Sequence, residues 1–535
     1  MKSLFLLFLL SASALVAQTA ANQTIIPATG SPVTATLMAS DPSGACTASA
    51  EVYNYLTGHT WVCAGAPGAQ AWKDGGGGSD CTATLTAGSN QIQGKLAANA
   101  TVCVAGNQTQ SSTVSITQSN VTLRCTNGAK ITFATSSADG IDISGNDDRI
   151  EGCVLDGNSA LAKPMLNISG NRATIRKNTF QNVGLTNPST ADLLVTQGSG
   201  HRIEDNYWPS IGDAVIYLQA ASGQTISDVV IQNNLATFSP ASGLYGFNMN
   251  DNNGAGTVAR VSWLNNTMIC SGSSGYCMAQ RFNASPTGQG ITSIGHIWRG
   301  NRVYLAGSVN HVFHWFGADQ DDFDGNQAII ANTCSFCAAS QIFSFGDVYY
   351  SHIVNNLIND QNGGSYGYFS IVDAAEDVVS GNVAYGCSNN GNNGCIYLTT
   401  AAGGPMSHML IANNYLKPFA GLAVYGIHIQ GNSTSYTRQD NQVIGNHIEG
   451  NGTAGSIGVY IDSVSGAVAD TYVSGNFLQN LPTGVSVSSG STNTQVDPNH
   501  YDTVTTPVSD SGTGTKAAVT SSTCTAWTNG VCTHS

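Results

Sequence analysis

Apolar residues along this chain alternate with polar ones for only two or three positions at a time before glycine, asparagine or aspartate interrupts them. Side chains point to opposite faces along a strand, so this pattern predicts many short strands, each with one buried face. One phrase recurs: an apolar alternation, a polar residue or glycine, then asparagine and a second apolar alternation. It reads Ile175-Arg176-Lys177-Asn178, Ile203-Glu204-Asp205-Asn206, Val379-Ser380-Gly381-Asn382, Ile444-Gly445-Asn446 and Val473-Ser474-Gly475-Asn476. The asparagines fall at 178, 206, 234, 266, 301, 332, 356, 382, 414, 446 and 476, in steps of 24 to 35 residues. Such a period, carried by short strands, is the mark of a solenoid rather than of several sandwiches.

Asparagine suits that place because its amide both donates and accepts, so copies on successive coils form a ladder within a turn. Leu123-Arg124-Cys125 and Ile150-Glu151-Gly152-Cys153 put cysteine where asparagine is expected. Equivalent positions on neighbouring coils lie about 4.8 Å apart, within the reach of a disulfide, which predicts a Cys125–Cys153 bridge. A second strand recurs between the ladder positions, as in Ile141-Asp142-Ile143, Ile216-Tyr217-Leu218, Phe247-Asn248-Met249, Phe343-Ser344-Phe345, Ile427-His428-Ile429 and Val485-Ser486-Val487. Its central residue points outward. Coil by coil that position reads Asp142, Asn167, Leu194, Tyr217, Asn248, an ambiguous coil around Gln280 and Arg281, His314, Ser344, Ser370, Tyr397, His428, Tyr460 and Ser486.

With these repeats the chain resembles the pectin-lyase-like superfamily of right-handed parallel β-helices over roughly residues 100 to 500. The resemblance implies the handedness and an all-β fold: one single-stranded right-handed parallel β-helix of about 13 coils. The superfamily includes pectate and pectin lyases, alginate lyases, polygalacturonases and phage tailspikes. The asparagine-threonine-aspartate, glycine-histidine-glycine and arginine-isoleucine-lysine signatures of polygalacturonases are absent, as is the tryptophan-isoleucine-aspartate-histidine phrase of classical pectate lyases. Gly200-His201-Arg202 and Arg202-Ile203-Glu204 depart from the pattern, so no family catalytic residue carries over.

The ends of the chain are built differently. Lys2, the apolar run Leu4–Leu10 and the mostly small residues Ser11–Ala17 form a secretory signal pattern, placed at residues 1–20. Residues 21–74 form a small module tied by Cys46 and Cys63, with a glycine-rich linker and cap at 75–99 and a cap or tail at 501–535. The 14 cysteines pair in sequence order: Cys46 with Cys63, Cys81 with Cys103, Cys125 with Cys153, Cys270 with Cys277, Cys334 with Cys337, Cys387 with Cys395 and Cys524 with Cys532. Behind a signal pattern, an even count means local disulfides in an oxidising compartment. No segment reaches the roughly 18 consecutive apolar residues of a membrane span.

Charge narrows the partners. Only 9% of residues are charged and the net charge is -14, with no basic cluster to neutralise phosphate, which argues against nucleic acid and anionic membranes. Candidate chemistry gathers near the outward positions of the middle coils: Asn248, Asn250, Asp251, Arg281, Asn283, His314, Asp319, Asp321, Asp322, Asp347 and Asp373. Hydrolysis of a glycoside requires two carboxyl groups across the bond, a role open to Asp322 and Asp347. Elimination from a uronic acid instead requires a base, such as Arg281 or His314, and a cation or amide to stabilise developing charge. Asp319 and Asp321 are the candidate calcium ligands, although their run is also what a solvated turn looks like and lacks the glycine and glutamate of an EF-hand loop. Tyr217, Asn248, Asn250, Asp251 and Tyr397 are the candidate substrate contacts, with Tyr425 and Tyr460 as further ring platforms. His201, His296, His352 and His408 precede the ladder strand at similar offsets and read as structural. Sequons occur at Asn99, Asn120 and Asn283.

These residues predict a secreted carbohydrate-active protein, a polysaccharide lyase or glycoside hydrolase, monomeric or trimeric. The rival readings are a non-catalytic adhesin that binds glycan and a tailspike-like structural protein.

Overall fold

The computed structural model describes residues 81–518 apart from 127, 136, 160, 162, 183–190, 212–213, 240–244, 252–254, 272–274, 283–293, 331–337, 362–367, 388–393, 401–405, 420 and 433–437. It also describes strands at 22–25, 33–38, 51–54, 59–64, 71–74, 524–528 and 531–534. The signal pattern, Asn283 and Asn332 lie outside the described residues. The chain divides into two compact units, Met1–Thr82 and Ala83–Ser535. In the first, the five strands between residues 22 and 74 form one sheet in sequence order, parallel only between the second and third.

The second unit is built around a parallel β-helix, the all-β solenoid expected from the repeats. Each regular coil contributes three short strands. The ladder strand precedes the ladder residue, as at Thr174–Arg176; the flank strand follows it, as at Thr179–Gln181; and the face strand, as at Ala191–Val195, is the second strand of the sequence repeat. The strands of the coils pair in parallel with their counterparts one coil away, for example Ile175 with Ile203 and Asn167 with Leu194. Among the described residues seventeen ladder strands stack from Ala83–Leu85 to Lys516–Ala517, so rungs are added at both ends of the coils legible in the sequence. Alternation then places Ile175, Ile203, Ile231, Trp263, Trp298 and Phe323 inside, all fully buried.

The ladder asparagines carry the turn. Asn178 donates its side-chain amide to Ile150 O at 3.0 Å and to Asn206 Oδ1 at 3.1 Å, while its own N–H reaches Asn206 Oδ1 at 3.0 Å. The same pattern repeats through Asn206, Asn234, Asn266, Asn301, Asn326, Asn356, Asn382, Asn414, Asn446 and Asn476 to Asn499, which spans eleven turns. One member is corrected: the rung assigned to Asn332 uses Asn326. It follows Gly325, whose φ of +65° gives the left-handed residue that precedes a ladder asparagine, as Gly300 does one rung earlier.

Cys153 N–H donates to Asn178 Oδ1, so cysteine does occupy the ladder position, and Cys125–Cys153 is bridged with a Cα separation of 4.8 Å. Cys270–Cys277 and Cys387–Cys395 are bridged too, and Cys81 and Cys103 are both disulfide-bonded. At the other three expected bridges the cysteine side chains lie outside the described residues. Cys46, Cys334 and Cys337 lie outside the described residues, so the bridges expected between Cys46 and Cys63 and between Cys334 and Cys337 lie outside the description as well. Cys524 and Cys532 are described by backbone alone. They stand on two antiparallel strands, Cys524–Thr528 and Val531–His534.

A second internal column stands at the other end of the ladder strand, where each side chain accepts the backbone N–H of the preceding coil. Asp148 accepts from Val121, His201 from Ala173, His296 from Val261, Asp321 from His296, Asp377 from Ser351 and Asn441 from Met409. This corrects two expectations. The four histidines do not share one position: His201 and His296 stand in the column, His352 is an exposed strand residue one place later, and His408 is a left-handed turn residue one place earlier. Asp321 points inward rather than toward a surface cation.

Candidate functional site

The face strands are long and regular from Tyr245–Asn250 through Tyr276–Arg281, Ser308–Asp319 and Ala338–Tyr349 to Phe369–Ala375. Their outward column runs Tyr217, Asn248, Ala279, His314, Ser344, Ser370, Tyr397, His428, Tyr460 and Ser486. The ambiguous coil is therefore resolved: Ala279 faces out and Gln280 faces in. Buried Gln280 accepts from Trp298 Nε1 at 3.0 Å and donates to Asp321 Oδ2 at 2.6 Å. Arg281 is outward two places on, paired with Asn250 on one side and Phe316 on the other. Asn248, Arg281, His314 and Asp347 thus stand on four consecutive rungs of one face.

One end of this face is aromatic and cationic. Tyr245 stacks on Tyr276 with centroids 4.5 Å apart, Tyr276 lies 4.9 Å from His311, and His314 is 4.6 Å from both His311 and Phe316. The exposed Arg281 guanidinium sits 4.7 Å over the Tyr245 ring, a geometry worth about 0.5–1 kcal/mol at an exposed site. Six other arginines are in ion pairs, at 124, 172, 176, 202, 260 and 299; Arg281 has no carboxylate partner among the described residues. Burial pushes the Tyr217 hydroxyl up to about 12, and that hydroxyl senses the charges of Arg281 and Asp251. Burial also drives His311 down to about 4, and burial, His311 and Arg281 together drive His314 down to about 2. A ring so reluctant to take a proton is a poor base at neutral pH. Asn248 is buried and its Oδ1 has no hydrogen-bond partner among the described residues.

The other end is acidic. Asp347 and Asp373 occupy corresponding places on adjacent rungs, between the paired residues Gly346/Val372 and Val348/Ala374. Both are left-handed, φ +52° and +53°, a conformation aspartate tolerates better than most side chains. Burial, then the charge of Asp373, raises Asp347 to about 6. Beyond them the buried Arg438 donates to Thr400 Oγ1 at 2.6 Å, and the charge of Asp373 acts on its guanidinium.

Asp322 is elsewhere. It is an outward residue of the ladder sheet, paired with Arg299 at 3.0 Å and His352 at 3.3 Å, so it does not join Arg281 and Asp347. Asp319 ends a face strand and is half-buried, whereas Asp321 is enclosed with its carboxyl pushed well up by burial. The two therefore do not form a surface pair, and among the described residues no three acidic, histidine or cysteine side chains converge as a metal site. Tyr397 belongs to a second cluster farther along the face, where His428 stacks on Tyr460 at 5.0 Å and lies 3.4 Å from Asp462. Tyr245, Tyr276, His311 and Arg438 were not singled out from the sequence. The first two are visible in retrospect as tyrosines two places ahead of the inward residues Phe247 and Met278.

No family model matches the chain, and no curated protein matches it. Solved structures similar to it include PfbA, a surface adhesin of Streptococcus pneumoniae, at 12% identity over 77% of this chain and 85% of that one, TM-score 0.33. A mannuronic acid specific polysaccharide family 6 lyase from human gut microbiota is 11% identical over 74% and 87%, TM-score 0.36. The catalytic domain of a GH87 alpha-1,3-glucanase in complex with nigerose is 12% identical over 78% and 64%, TM-score 0.30.

Proposed function

We propose that this chain is a secreted carbohydrate-active protein that binds an extracellular polysaccharide along its face sheet and hydrolyses it, with Asp347 and Asp373 as the acid–base pair. The observation that carries the reading is their juxtaposition on adjacent rungs, beside the aromatic and cationic end of the same face. Rung spacing is about 4.8 Å, close to the roughly 5–5.5 Å between the carboxyls of a retaining glycosidase. Burial, with the Asp373 charge adding to it, raises Asp347 to about 6, so Asp347 serves as the proton donor and Asp373 as its partner carboxyl across the scissile bond. Arg281 and Tyr245 lie about two to three rungs away, where a ring platform and a permanent cation hold a sugar and any acidic group on it. Elimination is supported less, because His314 is held neutral and weakly basic. The N-terminal signal pattern and the disulfides support secretion.

The test is incubation with acidic and neutral polysaccharides, with calcium and with chelator, following reducing ends and the absorbance of unsaturated products. Reducing ends alone, falling at least 100-fold in Asp347→Asn, are expected. Unsaturated products would replace hydrolysis by elimination. Binding without any product would make the chain an adhesin, and a sedimentation result of three chains per particle would favour the tailspike-like reading.

A further inference from the structure

A second concavity lies away from the face sheet. It opens on the flank sheet, with a volume of about 440 Å³, within the range of small-ligand sites. We propose that this cleft, lined by Asn359, Tyr385, Lys417, Phe419, Glu449 and Asn451, is a second carbohydrate site that takes a neutral pyranose ring.

The backbone builds the site. The flank strand Val383–Cys387 is bulged, its register shifting between Tyr385 and Cys387 against Lys417 and Pro418. Gly386 has φ +83°, and a Cβ there would stand 1.8 Å from Asp360 O, so the bulge requires glycine. Bulges re-aim side chains, and the Tyr385 ring is left 42% exposed at the cleft wall. Behind it, the buried Tyr368 hydroxyl lies 2.6 Å from Asp360 Oδ2 and 2.7 Å from Gly386 O, which ties the bulge to the neighbouring rung.

The polar groups are fixed in advance. Glu449 accepts from Tyr415 Oη at 2.5 Å and from Lys417 Nζ at 2.7 Å. Asn451 donates to Phe419 O at 2.9 Å and Leu422 O at 2.7 Å and accepts from Thr453 N–H at 3.0 Å. Such groups lose little further freedom on binding. The chemistry of the lining selects the ligand. Tyr385 and Phe419 offer apolar surface to a ring face, while Asn359, Lys417 and Glu449 offer donors and acceptors to hydroxyls. Lys417 is matched by Glu449, and Asp360 adds a second carboxyl residue to the lining, so the cleft has no surplus cation for a polyanion.

The site is independent of cleavage on the face sheet, and retention is measured without catalysis. Native electrophoresis through gels containing α-glucan, β-glucan, xylan, mannan, alginate or polygalacturonate tests it, with wild type, Tyr385→Ala and, as a control for any exposed tyrosine, Tyr207→Ala. At least one neutral polymer should retard wild type and Tyr207→Ala, and Tyr385→Ala should weaken that retardation at least tenfold in polymer concentration, with its thermal melt unchanged. Equal retardation of wild type and Tyr385→Ala overturns the proposal. So does retardation by acidic polymers alone, or by none.

Discussion

A carboxyl enclosed with one oxygen satisfied and the other bare stabilises or destabilises a fold according to its proton. Asp148 accepts the Val121 N–H on Oδ1 at 2.8 Å while buried Oδ2 has no partner among the described residues, and burial raises its pKa from 3.8 to about 6. The folded chain therefore binds more protons than the unfolded chain between those values, and this residue's contribution to stability falls as pH rises through them. Asn441 fills the equivalent place on a later rung without a charge. Asp148→Asn should thus stabilise the protein by about 1 kcal/mol at pH 7.5, allowing for screening and for the unpaired amide, and the difference should vanish at pH 4; urea melts at the two values check it. The ladder asparagines carry a larger single-residue effect. Asn326→Ala leaves the Asn301 N–H and side-chain amide without their common acceptor, and about 2–4 kcal/mol of destabilisation is expected. A urea midpoint within error of wild type would remove the ladder from the account of stability.

At the level of the strand, the rung Tyr276–Arg281 shows what alternation reveals and what it hides. The outward column was legible from Asp142 to Ser486 because ladder and register repeat on every coil. It failed at this rung because the interior there is polar and the exterior small: Gln280 is drawn in by Trp298 and Asp321, and Ala279 takes the outward place. Period-two reading assumes apolar residues inside, so a satisfied buried amide inverts it. Asp321 and Asp322 were illegible for a related reason. The left-handed Gln320 sets the phase of the strand that follows, and adjacent identical residues do not announce which one faces in. The rung expected at Asn332 is filled by Asn326, and the glycine at 325, left-handed at φ +65°, is the signal in the sequence that marks it. Gln280 links a face strand to the ladder sheet across the interior, so Gln280→Met strands both the Trp298 N–H and an Asp321 oxygen. About 2–4 kcal/mol of lost stability is expected, read from the urea midpoint by tryptophan fluorescence. An unchanged midpoint would show that the amide is replaceable by packing alone.

For the molecule as a whole, each rung touches chiefly the rungs above and below, so stability is a sum of local interfaces rather than one global quantity. Those interfaces are unequal. In the middle the interior is filled by stacked rings: Phe180 on Trp208 at 4.5 Å, Trp263 on Trp298 at 4.8 Å, Trp315 on Phe323 at 4.4 Å and Phe343 on Phe369 at 5.0 Å. Each such pair adds about 0.5–1.5 kcal/mol beyond its buried area. Toward the far end the same interior positions are aliphatic, as at Val443, Val473 and Val496, while the early rungs have the Cys125–Cys153 clamp. The aromatic rungs are also those that carry Arg281, His314, Asp347 and Asp373, so the proposed site stands on the stiffest part of the coil, where positioned side chains hold their geometry. Native-state hydrogen exchange should therefore show backbone opening free energies highest in the ladder strands between Ile203 and Ile353 and falling steadily beyond Tyr472. Reduction of the disulfides should lower protection in the rungs around Cys125 and Cys153 and leave the strands around Trp298 and Phe323 almost unchanged. A single opening free energy for all rungs would instead make the coil one cooperative unit, and the local stiffness argued for the site would be lost with it.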